Sequence, residues 1–361
     1  MAIFGSMKDP RRISKGNLRH DLSDIVFLVV AAVVSGCNDW ETIVVFGESQ
    51  LGWLRKYRPF KHGIPSHDTL NRVFSALDPK VFSEKFIEWT EEVYDFTEGE
   101  LVAIDGKTMR GSQDVAHDRS ALHIVSAYAS KNKISLGQVV TDEKSNEITA
   151  IPNLLDMIFL KGATVSIDAM GCQKAIAEKI IDQHADYLLA VKNNQKSLYE
   201  EIENLFVVTT SQSHTDYHIG HGRGENRKCD VITDLTFLDE SKHWKGLKSV
   251  IRIESERFLK ASSKTEKQTR YYISSHSQKS AKQLNELIRD HWAIENNLHW
   301  MLDVNFREDE SKRKGNSAAN FNVINKVALA LIEKCPIKKS KRQRRFKAAF
   351  DPSFREKILN L

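Results

Sequence analysis

Cysteine is scarce and scattered. The 361 residues hold four, Cys37, Cys172, Cys229 and Cys335, with no Cys-x-x-Cys and no Cys/His pairing at zinc spacing. That excludes a disulfide-stapled fold and a structural zinc site, and it fits free thiols in a reducing cytoplasm. Long apolar runs are also missing. The nearest, IVFLVVAAVVSGC at 25–37, is too short to cross a bilayer. Asp21 and Asp24 stand just before it, and more than twenty residues precede it, which argues against a secretion or lipidation signal. A buried helix is expected there. Internal repeats are absent.

Hydrophobic residues make up 41% and charged residues 28%, the balance of a globular chain with ample core. The net charge of +5 is uneven. Nine of the basic residues and only two acids fall in 338–361, so residues 1–337 are slightly acidic. A basic tail suits a polyanion such as DNA, and equally a solvated charge run.

The pattern divides the chain. Residues 10–96 read as helices, with a short one at 64–79 (IPSHDTLNRVFSALDP) whose polar start permits a recognition helix but fits plain packing better. Near residue 100 the period changes. LVAIDGKTM, ALHIVSAYAS and KISLGQVVTD read as strands, followed by helix, strand (ATVSIDAM), helix and strand (DYLLAVK). That order predicts a mixed α/β sheet with helices on both faces. Residues 207–275 are strand-rich again. Five stretches are expected: a helical 1–98, a first core part 99–206, a β-rich insertion 207–278, a last core part 279–336 and the basic tail 337–361.

Three carboxylates stand out. Asp105 and Asp168 each end an apolar strand, where α/β sheets place their sites. Alone, each is as readily a turn or cap residue. Glu295 falls in DHWAIENNLHWMLDV, on a helical stripe with Leu284, Ile288, His291, Leu298 and Leu302. An inward-facing glutamate requires a cation, either a basic side chain or a metal. Three converging carboxylates would select hard divalent ions, and a pair of such ions suits phosphoryl displacement. Trp292 and Trp300 read as core.

AIDGKTMRGS, SIDAMGCQ, LAVKNNQ, HGRGENR and HWAIENNLHWMLDVNFRED occur in this order. Over residues 10–334 the chain resembles the DDE transposases of bacterial insertion sequences, in the ISAs-type branch that contains the H-repeat-associated proteins of Rhs elements. The resemblance implies a ribonuclease-H-like catalytic core, with a β-rich insertion and a helical domain before the core. It implies Asp105, Asp168 and Glu295 as catalytic and metal-holding residues, with two Mg²⁺ ions and Mn²⁺ able to substitute. Double-stranded DNA, as element ends and target, is the implied partner, with a homodimer on DNA and no membrane. Expected DNA contacts are Lys107, Arg110, Lys192, Asn194, Gln195, His221, Arg223, Arg227, His291, Asn296 and His299. One departure is visible: related transposases carry Arg four residues before the last acid and Lys seven after, where His291 and Leu302 stand here. A nuclease without strand transfer and a silent DNA-binding relative are the alternatives.

Overall fold

A computed structural model describes residues 2–11, 18–95, 97–141, 147–220, 223–259 and 264–361. Nine strands form one sheet in the order β3-β2-β1-β4-β5-β9-β8-β7-β6. They are β1 (Leu101–Thr108), β2 (His123–Ala129), β3 (Ile134–Thr141), β4 (Thr164–Ile167), β5 (Asp186–Val191), β6 (Gln212–Gly220), β7 (Arg223–Ile232), β8 (Ser249–Leu259) and β9 (Lys264–Ser274). β1, β4 and β5 run parallel, and every other pairing is antiparallel. The parallel strands are short apolar runs buried on both faces, as such strands must be.

The strand-rich 207–275 region extends this sheet. The last residues of β9, Tyr271–Ser274, pair with β5 and satisfy an edge that would otherwise be open. Beyond that seam β9 is exposed at its first six positions, so its start projects from the core. β6 is too polar for the apolar runs of the sequence to reveal it.

Helices cover the faces. The apolar run becomes α2 (Leu22–Val34), buried at every residue except Ser23. It follows a short α1 (Ala2–Gly5) and packs on α3 (Trp40–Ser49), which leads into α4 (Leu51–Leu54). Next come α5 (His67–Ala76) and α6 (Pro79–Val93), capped by Ser66 and Asp78, whose side chains accept from the Thr69 and Lys80 amides. α5 is a packing helix: Leu70, Val73 and Phe74 are buried, and Asn71 accepts from Trp40 Nε1 at 3.2 Å and Ser317 Oγ at 2.9 Å. Within the sheet's own connections lie α7 (Glu147–Met157), α8 (Lys174–Asp182) and α9 (Lys196–Val208), and α10 (Ala281–Asp290) and α11 (Trp300–Phe306) follow β9.

The chain ends in α12 (Gly315–Lys334), α13 (Lys341–Phe350) and α14 (Pro352–Leu359). α12 packs against α2, α5, α6 and β3, so the N-terminal helices and the sheet share one core. The basic tail is folded structure. Arg345 Nε and Nη2 donate to the Val33 carbonyl at 3.1 and 2.9 Å. Arg355, fully buried, lies 4.0 Å from the Trp53 ring centre and donates to Gln50 Oε1 at 2.7 Å. These two cations are therefore withdrawn from any polyanion, contrary to the expectation of a free charged run.

A buried polar network ties α11 and α12 to β1. Lys107 donates to Asp303 and, at 2.9 Å, to Glu308. Glu308 also accepts from Asn322 at 2.7 Å, and Lys326 donates to Ser126 at 2.7 Å and Gln138 at 2.6 Å. Burial pulls the Lys326 ammonium down to about 7, against the attraction of Glu308. Removing Glu308 leaves Lys107 to Asp303 alone and takes away the carboxylate that attracts buried Lys326. Glu308→Ala is expected to cost about 3–5 kcal/mol in urea unfolding. Glu308→Gln, which keeps an acceptor for Asn322, should cost less.

Candidate active site

β1 and β4 are parallel neighbours, with Ile104 opposite Ile167. The next residue of each strand's chain is an aspartate: Asp168 follows the end of β4, and Asp105 stands where β1 loses β4 as a partner and runs on beside β2 alone. Asp168 caps a 3₁₀ turn (Ala169–Gly171), accepting from the Met170 amide at 3.1 Å. Asn194 donates to the Ala169 carbonyl at 2.6 Å and Gln195 to the Cys172 carbonyl at 2.9 Å. Their amide donors lash the β5 exit to the Asp168 loop, a positioning contact beside the DNA contact expected of them.

Glu295 arrives from the other side. The expected unbroken α-helix is interrupted: α10 stops at Asp290, and Glu295–His299 form a π-helical segment closed by the Trp300 amide on the Glu295 carbonyl. Leu284, Ile288, Leu298 and Leu302 are buried as the spacing predicted, but Ile294 takes the next inward place and Glu295 is exposed. The wider π turn shifts the phase of the helix and aims the carboxylate into a cleft. Trp292 (47%) and Trp300 (50%) are exposed, although aromatic side chains of this size are expected in the core. The Arg270 guanidinium lies 5.6 Å from the Trp292 ring centre.

The cleft, about 820 Å³, is lined by Asp105, Asp168, Lys192, His291, Trp292 and Glu295, among others. Ligand atoms of Asp105, Glu295 and His299 lie within 4.8 Å of one another. His299 Nε2 is 3.3 Å from Asp105 Oδ2. Asp168 stands outside that tight group but in the same cleft. Its pKa is raised, first by burial, then by the Glu147 and Asp105 charges, against two opposing backbone amides. His291 bonds Ser166 Oγ through Nδ1 at 2.9 Å. Burial lowers its pKa, despite Asp105 and Asp168 pulling the other way, so at neutral pH it is an uncharged imidazole where related transposases carry arginine.

The other expected DNA contacts divide. Lys192, Arg110 and Asn296 are exposed, although Asn296 also donates to the Trp292 carbonyl at 3.0 Å. Lys107 is held in its ion pairs, which outweigh burial and raise its pKa. Arg227 is buried and donates to Asn285 at 2.6 Å, because its strand position faces α10 and not solvent. Arg223 begins β7, and His221 lies outside the described residues.

One pair escaped the sequence reading. Glu147 Oε1 meets His123 Nε2 at 2.8 Å, and His123 Nδ1 meets Thr108 Oγ1 at 2.9 Å. The pair lies over Gly106, where a Cβ would come 2.2 Å from Glu147 Oε1 and 2.4 Å from His123 Nε2. A side chain at this position would have to push the Glu147 and His123 tips aside. The strand register Thr108↔His123 brings these groups together, and no spacing in the sequence announces it.

Two aspartates on adjacent parallel strands thus share a cleft with a third acid brought in by a later helical segment. The family model described as Transposase DDE domain matches residues 97–332, and DDE_Tnp_1-associated matches residues 1–90. The chain belongs to the DDE transposase family. It is 45% identical over 355 residues to "Putative transposase YncI" of Escherichia coli O157:H7, covering 96% of this chain and 90% of that protein. It is 42% identical over 354 residues to "H repeat-associated putative transposase YhhI" of Escherichia coli K12, covering 95% and 93%. A cryo-EM structure of a piggyBac transposase synaptic complex with hairpin DNA is similar at TM-score 0.46 and 12% identity, over 99% of this chain and 80% of that one; so loose a likeness carries no weight.

The raised pKa of Asp168 sets the sign of a stability prediction. A carboxyl whose folded pKa exceeds its unfolded value contributes stability below about pH 3.9, and that contribution is lost as pH rises through the folded pKa. At pH 7 the ionised group therefore strains the metal-free fold. Asp168→Asn is expected to raise Tm by a few degrees at pH 7 and to lose that advantage at pH 3. Scanning calorimetry in chelator at both pH values checks this.

Proposed function

We propose that this chain cuts DNA at the ends of an insertion sequence and joins the freed 3′ ends to target DNA. The observation that carries the reading is that Asp105 and Asp168 each follow the last paired residue of parallel β1 and β4, with Glu295 facing the same cleft. The order β3-β2-β1-β4-β5, two antiparallel pairings followed by two parallel ones, supports a ribonuclease-H-like core.

The donors fit divalent metal. Carboxylate oxygens dominate, and two of the acids have a buried imidazole beside them that lacks a hydrogen-bond partner among the described residues. Asp105, Asp168 and Glu295 would hold Mg²⁺, or Mn²⁺ in its place. When bound, two such ions offset charge on the attacking and leaving oxygens of a phosphodiester. The chain's own groups do the rest. Lys192 at the cleft and Arg110 beyond β1 neutralise backbone phosphates, and neutral His291 fixes the Ser166 side of the site. No tyrosine or serine nucleophile is required. Joining two ends calls for at least a dimer on DNA.

Element-end DNA, a target plasmid and Mg²⁺ supply the test. Wild type should cut and join. Asp105→Asn, Asp168→Asn and Glu295→Gln should each lose both steps by about a thousandfold or more, while DNA binding in gel shift changes little. Cutting without joined product would favour a simple nuclease. Neither step, in Mg²⁺ or Mn²⁺, would overturn the reading.

A further inference from the structure

We propose that His299 is a metal ligand, so that Asp105, Glu295 and His299 form a mixed carboxylate–imidazole site for a first-row divalent transition ion. The inference rests on the reading of Asp105 and Glu295 as metal-holding residues and adds a nitrogen donor to them.

Three observations converge. The ligand atoms of these residues lie within 4.8 Å of one another, a separation that a single ion spans. Two ligands at right angles, each about 2.1 Å from an ion, stand about 3 Å apart; His299 Nε2 and Asp105 Oδ2 stand 3.3 Å apart. His299 is 3% exposed, and neither ring nitrogen has a hydrogen-bond partner among the described residues. The approach to Asp105 is therefore close but not hydrogen-bonded. Burying a polar ring with both nitrogens unsatisfied costs free energy, and coordination would recover it.

The local backbone explains how a helix delivers both donors. Glu295 and His299 begin and end the π-helical segment. In an α-helix, residues four apart overshoot one turn. The i→i+5 bonding widens the turn and brings such residues closer to one azimuth. Glu295 lines the cleft and is exposed, while His299 is buried with its Nε2 beside Asp105 of β1. An imidazole in the set shifts preference from Mg²⁺ toward transition ions, since carboxylate and water ligands suit Mg²⁺ and imidazole suits the later metals.

The experiment uses the full chain without DNA, with Mn²⁺ as the probe. Electron spin echo spectroscopy of bound Mn²⁺ should show coupling to a histidine nitrogen, which changes when the protein is made with ¹⁵N-histidine. By titration calorimetry His299→Gln should bind Mn²⁺ about tenfold or more weakly, with a smaller loss for Mg²⁺. Asp105→Asn should weaken both ions. Mn²⁺ bound in an Asp105-dependent way, but with no nitrogen coupling in wild type, would overturn the histidine ligand and leave the acid site standing. Mn²⁺ binding that ignores Asp105→Asn would sink the acid site as well. The wild-type spectrum decides the matter even if His299→Gln fails to fold.

Discussion

Carboxylate crowding at the mouth between two parallel strands is the constraint on which the rest depends. The register of β1 and β4 places Asp105 and Asp168 next to each other with no freedom to part. Glu295 enters the same cleft and Glu147 bears on Asp168 from α7. Burial first, and then the Glu147 and Asp105 charges, raise the pKa of Asp168. The nearest ammonium on β1, Lys107, points to Asp303 and Glu308 and is not free to neutralise them. Burial lowers the His291 pKa, and His299 Nε2 stands 3.3 Å from Asp105 Oδ2. Divalent cations at this cleft, as proposed, would offset the crowded charge.

The fold keeps the crowded acids in place by tying distant segments together. Lys107, two residues after Asp105, is anchored to α11 and to Glu308, and Glu308 is bonded by α12. Because α11 continues the segment that carries Glu295 and His299, the strand bearing one acid and the helix bearing another share a buried network. On the other flank, Asn194 and Gln195 brace the loop behind Asp168. Such bracing is the support that precise constellations need from their surroundings. The basic tail contributes in the same structural way, closing over α2 through Arg345 and over Trp53 through Arg355.

Much of this was legible beforehand. An apolar strand ending just before Asp168 is found as read, β1 runs on three residues past Asp105, and most of the 25–37 run forms a buried helix. The five conserved-looking blocks named the family. What failed had local physical causes. A helical wheel assumes constant pitch, so the π segment put Ile294 inside and left Glu295 exposed on the cleft wall, and size alone misplaced Trp292 and Trp300, which are exposed. Charge alone does not report burial, so Arg227, Arg345 and Arg355 read as phosphate contacts or tail charge yet lie inside. β6 lacks the apolar alternation that marks a half-buried strand, and the His123–Glu147 pair exists only through strand register.

The central claim is that Asp105, Asp168 and Glu295 share divalent metal at this cleft. Crystals soaked in Mn²⁺, with diffraction recorded near the manganese absorption edge, test it most directly. The account predicts an anomalous peak in contact with the Asp105 and Glu295 carboxylates, with Asp168 reaching the same ion or a second one beside it. A map with manganese bound elsewhere on the molecule and nothing between these side chains, in crystals soaked at a concentration that supports DNA cleavage, would contradict it.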